Sequence, residues 1–461
     1  MKRVAIAGAS GFVGSALISY LLKNTDYQIV SLYRRNVISI NPRLIHVSCD
    51  LFSLLDCEKA LDKIDTAIYL VHSMLPSAKL TQGNFEDFDL IMADNFAKAA
   101  VKNSVKQIIY LGGIIPSLYE LTPHLISRLE VEEVLANTKK YGLTFTSLRS
   151  GLILGAGGSS YTMLSRLVNR LPIMVCPTWA NNLSSPIFID DVVFAIEQSL
   201  RFDEHKNKIY DLAGSEVMSY RTMLKRTAVK KKRVRFFLNF PFISPTLSKL
   251  WIHFITGAPK RLVYPLISSL SANVVPDPEK LFPYSYKQKN FEQILDDIIE
   301  IEKLQKESTP NAYSYRGLVG KNEVRSVQRL HTYFRTTARS IGDTYFQWMG
   351  KKFYPLISTK KIGDFHYINL LNTPISLLIV EHSQERSKED RVLFYIRGGL
   401  LAKVGGRGRL EFRTIARSRY TMAAIHDYHP RLPWFFYRYS QAILHLIVMK
   451  SFDRYITSKN M

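Results

Sequence analysis

A chain of 461 residues, 46% of them hydrophobic and three of them cysteines, has mass for about two to three folded domains and argues against disorder or a disulfide-stapled secreted module. Its net charge of +23 is concentrated at the end, where residues 311–461 hold 25 Lys and Arg against 10 Asp and Glu, a net +15 that implies an acidic partner. No window supplies the roughly eighteen uninterrupted apolar residues of a membrane span, and the chain enters its first strand at once, so no spanning helix or secretory signal is predicted.

Val4-Ala5-Ile6-Ala7 reads as a strand running into Gly8-Ala9-Ser10-Gly11-Phe12-Val13-Gly14, followed by a helix with an apolar face from Ala16 to Leu22. A parallel strand that ends in glycines and opens a helix leaves backbone N–H groups at a positive helix end, where a pyrophosphate settles. Gly8 serves the tight turn, Gly11 the approach of phosphate to backbone, and Gly14 close packing of helix on sheet. Gly8, Ser10, Gly11, Phe12, Val13 and Gly14 are therefore expected to hold a dinucleotide, although the spacing is G-x-x-G-x-x-G rather than G-x-G-x-x-G.

The next strand, Gln28 to Leu32, ends in Tyr33-Arg34-Arg35. An acid at that strand end holds a free ribose 2′-hydroxyl, whereas arginine accommodates a 2′-phosphate. Arg34 and Arg35 thus predict NADP in preference to NAD. In Cys49-Asp50-Leu51, after strand three, Asp50 is placed to accept from the adenine amino group. Thr66–Val71, Lys106–Leu111 and Leu143–Leu148 supply further strands, with helices over Phe85–Lys102 and Pro123–Lys140 between them. The alternation predicts an α/β fold, a Rossmann-type doubly wound parallel sheet, with a nucleotide-binding core over residues 1–150.

These residues carry a family resemblance. Gly8–Gly14, Tyr69-Leu70-Val71-His72-Ser73-Met74, Tyr110-Leu111-Gly112-Gly113, His124–Arg128 and Pro186–Val192 resemble the atypical short-chain dehydrogenases/reductases of the NmrA-like and NAD-dependent epimerase/dehydratase kind, especially bacterial members with a C-terminal extension. The resemblance covers about the first two thirds of the chain. It implies an oxidoreductase and adds His72 to the residues expected to line the cofactor.

The departure from the family pattern lies in the catalytic helix. The usual Tyr-x-x-x-Lys is replaced by His124-x-x-x-Arg128, four apart on one helical face, and Gly112-Gly113 stands where a hydroxyl residue is usual, with Ser117 or Tyr119 on the loop beyond. An imidazole, near pKa 6.5, exchanges protons without the lysine that a tyrosine near 10 requires. His124 is the candidate proton donor and Arg128 its positioning partner and ribose donor; alternatively His124 packs and Arg128 pairs with Glu132 or Glu133 on a solvated face. No metal site is expected: Cys49, Cys57 and Cys176, and His426, His429 and His445, lack ligand spacing.

Residues 151–310 are expected to complete the reductase fold and its substrate cleft, with Tyr210–Gly214 and the helix from Tyr220 as a late strand-turn-helix. Asp190 and Asp191 read as helix-end and structural acids. Lys230-Lys231-Lys232-Arg233-Val234-Arg235 precedes an apolar run from Phe236 through Ile255, which either lines a mouth for a bulky apolar substrate or rests on an anionic membrane. Beyond the charged helix Phe291–Lys306 and the polar stretch to Asn311 lies an α+β domain, residues 311–461. It has a helix over Thr336–Met349 and strands over Phe365–Leu371, Ile375–Glu381, Arg391–Gly399, Arg409–Ile415 and Arg419–Ile425. A long terminal helix from Leu432 to about Tyr455 follows. This antiparallel sheet with its helix resembles a helix-grip ligand container.

Tyr437, Gln441, Leu444, Val448 and Phe452 form that helix's expected core stripe. Arg407, Arg409, Arg413, Arg417 and Arg419 form a cationic strip, either solvated or anion-seizing. Basic charge without a recognition helix, zinc knuckle or aromatic-basic platform does not point to nucleic acid. The expected function is an NADP(H)-dependent reductase of a hydrophobic carbonyl or enone-like small molecule in the cytoplasm. The alternative is a non-catalytic NAD(P)H-binding sensor or assembly factor, peripheral to the inner membrane face. The substrate, the oligomeric state and the ligand of the last domain stay open.

Overall fold

A computed structural model describes residues 1–34, 41–72, 80–116, 121–240, 252–257, 264, 270–308, 324–332, 336–403, 407–415 and 420–459. Arg35, Ser117, Tyr119, Arg417, Arg419 and residues 241–251 of the apolar run lie outside the described residues. The chain divides into two compact units, one of residues 1–74 and 89–315, the other of residues 75–88 and 316–461.

The first unit is built on a seven-stranded sheet. Its strands are β1 (Arg3–Ala7), β2 (Gln28–Tyr33), β3 (Leu44–Ser48), β4 (Thr66–Tyr69), β6 (Gln107–Gly113), β7 (Thr144–Ser150) and β12 (Ile209–Leu212), in the order β12-β7-β6-β4-β1-β2-β3. Every neighbouring pair is parallel. Short apolar runs buried on both faces, such as Val4–Ala7 and Ala67–Tyr69, are what a sheet covered by helices demands.

The helices up to residue 315 include α1 (Phe12–Asn24), α2 (Leu54–Ala60), α3 (Phe85–Lys102), α4 (Pro123–Ala136), α5 (Ser159–Arg170), α6 (Ile189–Arg201), α7 (Tyr220–Lys230) and α8 (Phe291–Ser308). α4 starts with Pro123 at its first position and tightens into a 3₁₀ turn over Asn137–Tyr141 instead of continuing to Lys140. It stops at Gly142, whose φ of +88° an L side chain rarely adopts. Three strand pairs stand apart from the main sheet: β8 (Ile153–Leu154) with β11 (Ile187–Phe188), β9 (Ile173–Cys176) with β14 (Phe236–Asn239), and β10 (Leu183–Ser184) with β13 (Met218–Ser219). The first four residues of the apolar run thus form a strand, β14.

The second unit is an eight-stranded sheet with three helices among its described residues. It comprises β5 (Leu80–Gln82), β15 (Val324–Leu330), β16 (Ile357–Ile362), β17 (Phe365–Leu370), β18 (Ser376–His382), β19 (Arg391–Gly398), β20 (Arg409–Ile415) and β21 (Tyr420–Tyr428), in the order β16-β17-β18-β19-β20-β21-β15-β5. All pairs are antiparallel except β15 with β5. That last strand comes from residues between β4 and α3, some 240 positions upstream of its partner, with Val324 opposite Leu80. Gln82 Nε2 donates to the Ala442 carbonyl at 2.9 Å, and Arg329 Nε to Asp87 at 2.9 Å.

One face of this sheet is apolar: Val392, Phe394, Leu410 and Phe412 pack with Tyr345, Phe346 and Trp348 of α9 (Ala338–Lys352) and with Met449, Phe452 and Ile456 of the terminal helix. Tyr345 meets Phe452 edge-on at 5.0 Å between centroids. The terminal helix is broken. α10 (Trp434–Tyr439) and α11 (Gln441–Ser458) meet at Ser440, where φ −126° and ψ −85° leave the helical region. The break resets the helical phase, so the buried stripe is Ala442, Met449, Phe452 and Ile456, while Leu444 of the expected stripe is exposed.

The cationic strip also differs from expectation. β20 lies inside the sheet and all seven of its residues are buried, so Arg409 and Arg413 are neither solvated nor an open anion trap. Arg413 Nε and Arg391 Nη2 donate to Glu411 at 2.6 and 2.9 Å, and Arg409 Nη1 to Asp427 at 2.6 Å.

Candidate active site

The glycine turn has the geometry its spacing implies. Gly8 sits at φ +90°, and a Cβ there would lie 3.0 Å from the Leu70 carbonyl oxygen. A Cβ on Gly14 would lie 2.3 Å from the Gly8 carbonyl oxygen, an overlap no side chain tolerates. Gly11 is the N-cap of α1 in extended conformation, with no side chain bonded to the helix end. Ser10 and Gly11 are exposed, and Phe12 and Val13 half-buried. The α1 end thus presents backbone N–H groups at its positive pole.

Beside this turn, Ala7 of β1 pairs with Tyr69 of β4, and Leu70 N–H donates to the Ala7 carbonyl at 3.0 Å. The chain leaving β4 therefore places His72 at the same carboxyl edge of the sheet, the crevice where open α/β sheets take ligands. There it meets α3 and α4. His72 Nδ1 donates to Asp89 Oδ2 at 2.7 Å and touches the Arg128 guanidinium; Arg128 Nη2 donates to the same carboxylate oxygen at 2.9 Å. Ser127 Oγ approaches Asp89 at 3.4 Å, Tyr110 OH donates to the Arg128 carbonyl at 3.1 Å, and the rings of His72 and His124 lie 4.8 Å apart.

Asp89 is 1% exposed and Arg128 7%, so one buried carboxylate balances one buried cation. Both imidazoles are pushed toward their neutral form. Burial lowers the pKa of His72, helped by the Arg128 charge, and burial together with His72 and Arg128 pushes that of His124 well below 6.5. For Arg128, burial opposes the charge, but Tyr110 and Asp89 outweigh it and raise its pKa. Arg128 does not pair with Glu132, which instead binds Arg149 through two bonds of 2.9 and 2.7 Å.

The predicted residues fall into two groups on this edge. His72, His124 and Arg128 come together beyond β4 and β6. On the other flank, Cys49 N–H donates to the Tyr33 carbonyl at 2.7 Å, which draws the ends of β2 and β3 together and brings exposed Arg34 near Asp50 and Leu51. Asp50 Oδ1 accepts from Phe52 N–H at 3.2 Å, and the Leu51 carbonyl from Asn95 at 2.8 Å. Asp190 opens α6, and Asp191 accepts from Tyr286 OH at 2.6 Å and Gln288 at 3.1 Å, a structural role.

Sequence reasoning missed Asp89, the group that joins the cluster. Its signal was present: Asp89 heads the stripe Ala93, Phe96 and Ala100 at helical spacing, and all three are buried. An acid on an apolar stripe needs a cationic partner. Among the described residues, no group of three or more His, Cys, Asp or Glu side chains is placed to hold a metal ion.

Comparison with known proteins places the fold. Residues 4–213 match the sequence model of the NAD dependent epimerase/dehydratase family. The matched stretch is 210 of the chain's 461 residues, and over it the chain is similar to that family. The auxiliary protein GraX of Staphylococcus aureus (strain NCTC 8325 / PS 47) is 32% identical over 111 residues, which are 24% of this chain and 36% of that relative, so the match spans about a third of its length. Among solved structures, the Citrobacter sp. triphenylmethane reductase superposes with a TM-score of 0.52 at 16% identity, over 65% of this chain and all of that one. Its complex with NADP(H) gives 0.50 at 15% identity, with the same coverage. At these identities the likeness establishes the Rossmann-type fold. The Tyr-x-x-x-Lys that the family resemblance leads one to expect on this helix is His124-x-x-x-Arg128 in this chain.

Proposed function

We propose that this chain is an NADP(H)-dependent reductase of a hydrophobic carbonyl or enone-like compound. One observation carries the reading: an α1 end without a side-chain cap and the cluster of half-buried His72 and His124 with buried Asp89 and Arg128 share one carboxyl edge of a parallel sheet. The site fits a dinucleotide, since backbone packs so closely at Gly8, Gly11 and Gly14 that only glycine is accommodated there, and no side chain at these positions stands between the α1 end and a pyrophosphate. Gly8–Gly14 would hold the pyrophosphate, Arg34 the 2′-phosphate, and Asp50 and Leu51 the adenine. NADPH supplies a hydride when bound. The complex of the Citrobacter enzyme with NADP(H), on the same fold, agrees with this choice of cofactor.

His124 donates an N–H from its neutral ring and polarises the substrate oxygen; it becomes a full proton donor only after taking up a proton. Arg128, held by Asp89, fixes the field around both imidazoles. Turnover should therefore rise as pH falls toward a value below 6.5. NADPH consumption with a panel of apolar aldehydes, ketones and quinones tests this, and His124→Ala should lose about a hundredfold or more in kcat/KM. Full activity in that variant would refute the role.

A second reading, a coenzyme-binding sensor or auxiliary factor without turnover, is favoured by the absence of Tyr-x-x-x-Lys and by the likeness to a protein named as auxiliary. It requires saturable NADPH binding with no hydride loss to any member of the panel.

A further inference from the structure

The helical elbow of α10 and α11 turns an apolar surface outward. Leu432, Phe435, Phe436, Tyr439, Ile443, Leu444 and Ile447 are all exposed, Phe435 to 68% and Phe436 to 63%. Phe435 packs on Tyr439 at 5.2 Å and on Phe436 at 5.8 Å between centroids, so the rings form one patch. The residues that bind this elbow to its own unit are different ones, Tyr437, Ala442, Met449 and Phe452. Isolated exposed apolar residues are ordinary, whereas seven within sixteen positions are not.

Charge identifies the occupant. From Tyr428 to Phe452 the sequence has no Asp or Glu, while Arg431, Arg438 and Lys450 are exposed around the patch. Arg438 lies over the Tyr439 ring at 5.5 Å. Next to Leu432 a cavity of about 310 Å³ is lined by Lys403, His429, Arg431 and Trp434. Its walls are fixed by two backbone bonds, Lys403 N–H to His429 C=O at 2.9 Å and Arg431 N–H to Leu401 C=O at 3.1 Å. Rings and aliphatic side chains at the level of cationic ones suit the boundary between headgroups and acyl chains. Cations with an indole around a small cavity suit one phosphate-bearing headgroup.

We propose that the α10–α11 elbow is a membrane-docking site that inserts Phe435, Phe436 and their neighbours into an anionic leaflet while Lys403, His429 and Arg431 take a lipid phosphate. No helix among the described residues is long and apolar enough to cross a membrane.

The test is flotation of the full chain with phosphatidylcholine vesicles, with or without phosphatidylglycerol. Binding should require phosphatidylglycerol and weaken with salt. Phe435→Ser/Phe436→Ser and Lys403→Glu/Arg431→Glu, exposed changes that leave the circular dichroism spectrum intact, should each lower vesicle partitioning about tenfold or more. Absence of binding at any phosphatidylglycerol content overturns the proposal, as does binding that neither double variant reduces. A monomer–dimer equilibrium abolished by Phe435→Ser/Phe436→Ser, without vesicle binding, would assign the patch to a second copy instead.

Discussion

Asp89→Asn removes a charge from the cluster and changes almost nothing else in shape. The carboxylate is 1% exposed and accepts from His72 at 2.7 Å, Arg128 at 2.9 Å and Ser127 at 3.4 Å. The variant leaves the Arg128 guanidinium, 7% exposed, buried without that carboxylate. Breaking a buried pair from one side costs about 3–5 kcal/mol, far more than the pair itself contributes, because the stranded ion cannot regain its water. Over a unit of about 300 residues that lowers Tm by roughly 5–8 °C. A thermal melt followed by circular dichroism measures it, and a cycle with Arg128→Met isolates the cause. The double variant should be less destabilised than the two singles together by about 2 kcal/mol. An Asp89→Asn variant within about 0.5 kcal/mol of the parent, or strict additivity in the cycle, would refute a buried ion pair as the cluster's organiser.

Glu411→Gln applies the same physics to the second unit, stranding Arg391 and Arg413. It should cost about 3–5 kcal/mol in urea unfolding. Gly14→Ala places a methyl 2.3 Å from the Gly8 carbonyl oxygen, which forces the turn open; calorimetry should show NADPH affinity reduced by about tenfold or more. Burial, aided by Arg409, pushes His426 down to about 3, so below pH 6.5 the unfolded chain takes up a proton that the folded one refuses. That stabilising difference is complete above 6.5 and is lost as pH falls toward 3. His426 alone should remove about 2 kcal/mol of stability between pH 7 and pH 5, a loss that His426→Gln abolishes in urea unfolding.

Elements governed by local pattern were legible in the sequence. The apolar stripe of Phe85–Lys102 gives α3 its observed ends, and Gly8–Gly14 announces its turn through steric needs that few other residues meet. Features set by distant partners were not. Leu80–Gln82 is three residues long and becomes a strand only because β15 is there to bond it. Arg409 and Arg413 read as surface charge because alternation says which residues share a face, not whether that face is covered. In the candidate site, His124 and Arg128 stood out through the family resemblance, as the residues where Tyr and Lys are expected, but Asp89 comes from another helix, and the lowered pKa values of the imidazoles follow from burial that no spacing reveals. The phase slip at Ser440, a backbone event with no composition signature, hid the apolar patch behind a stripe assigned to the core.

The most direct measurement is calorimetric titration of the full chain with NADPH and NADH, repeated on Arg34→Ala. Saturable one-site binding is expected, with NADPH tighter than NADH by about tenfold or more and that preference lost in the variant, because charge-assisted bonds to a phosphate are worth about 1.5–3 kcal/mol each. Neither coenzyme producing a saturable signal would contradict a dinucleotide site at the head of α1, and with it the reductase reading.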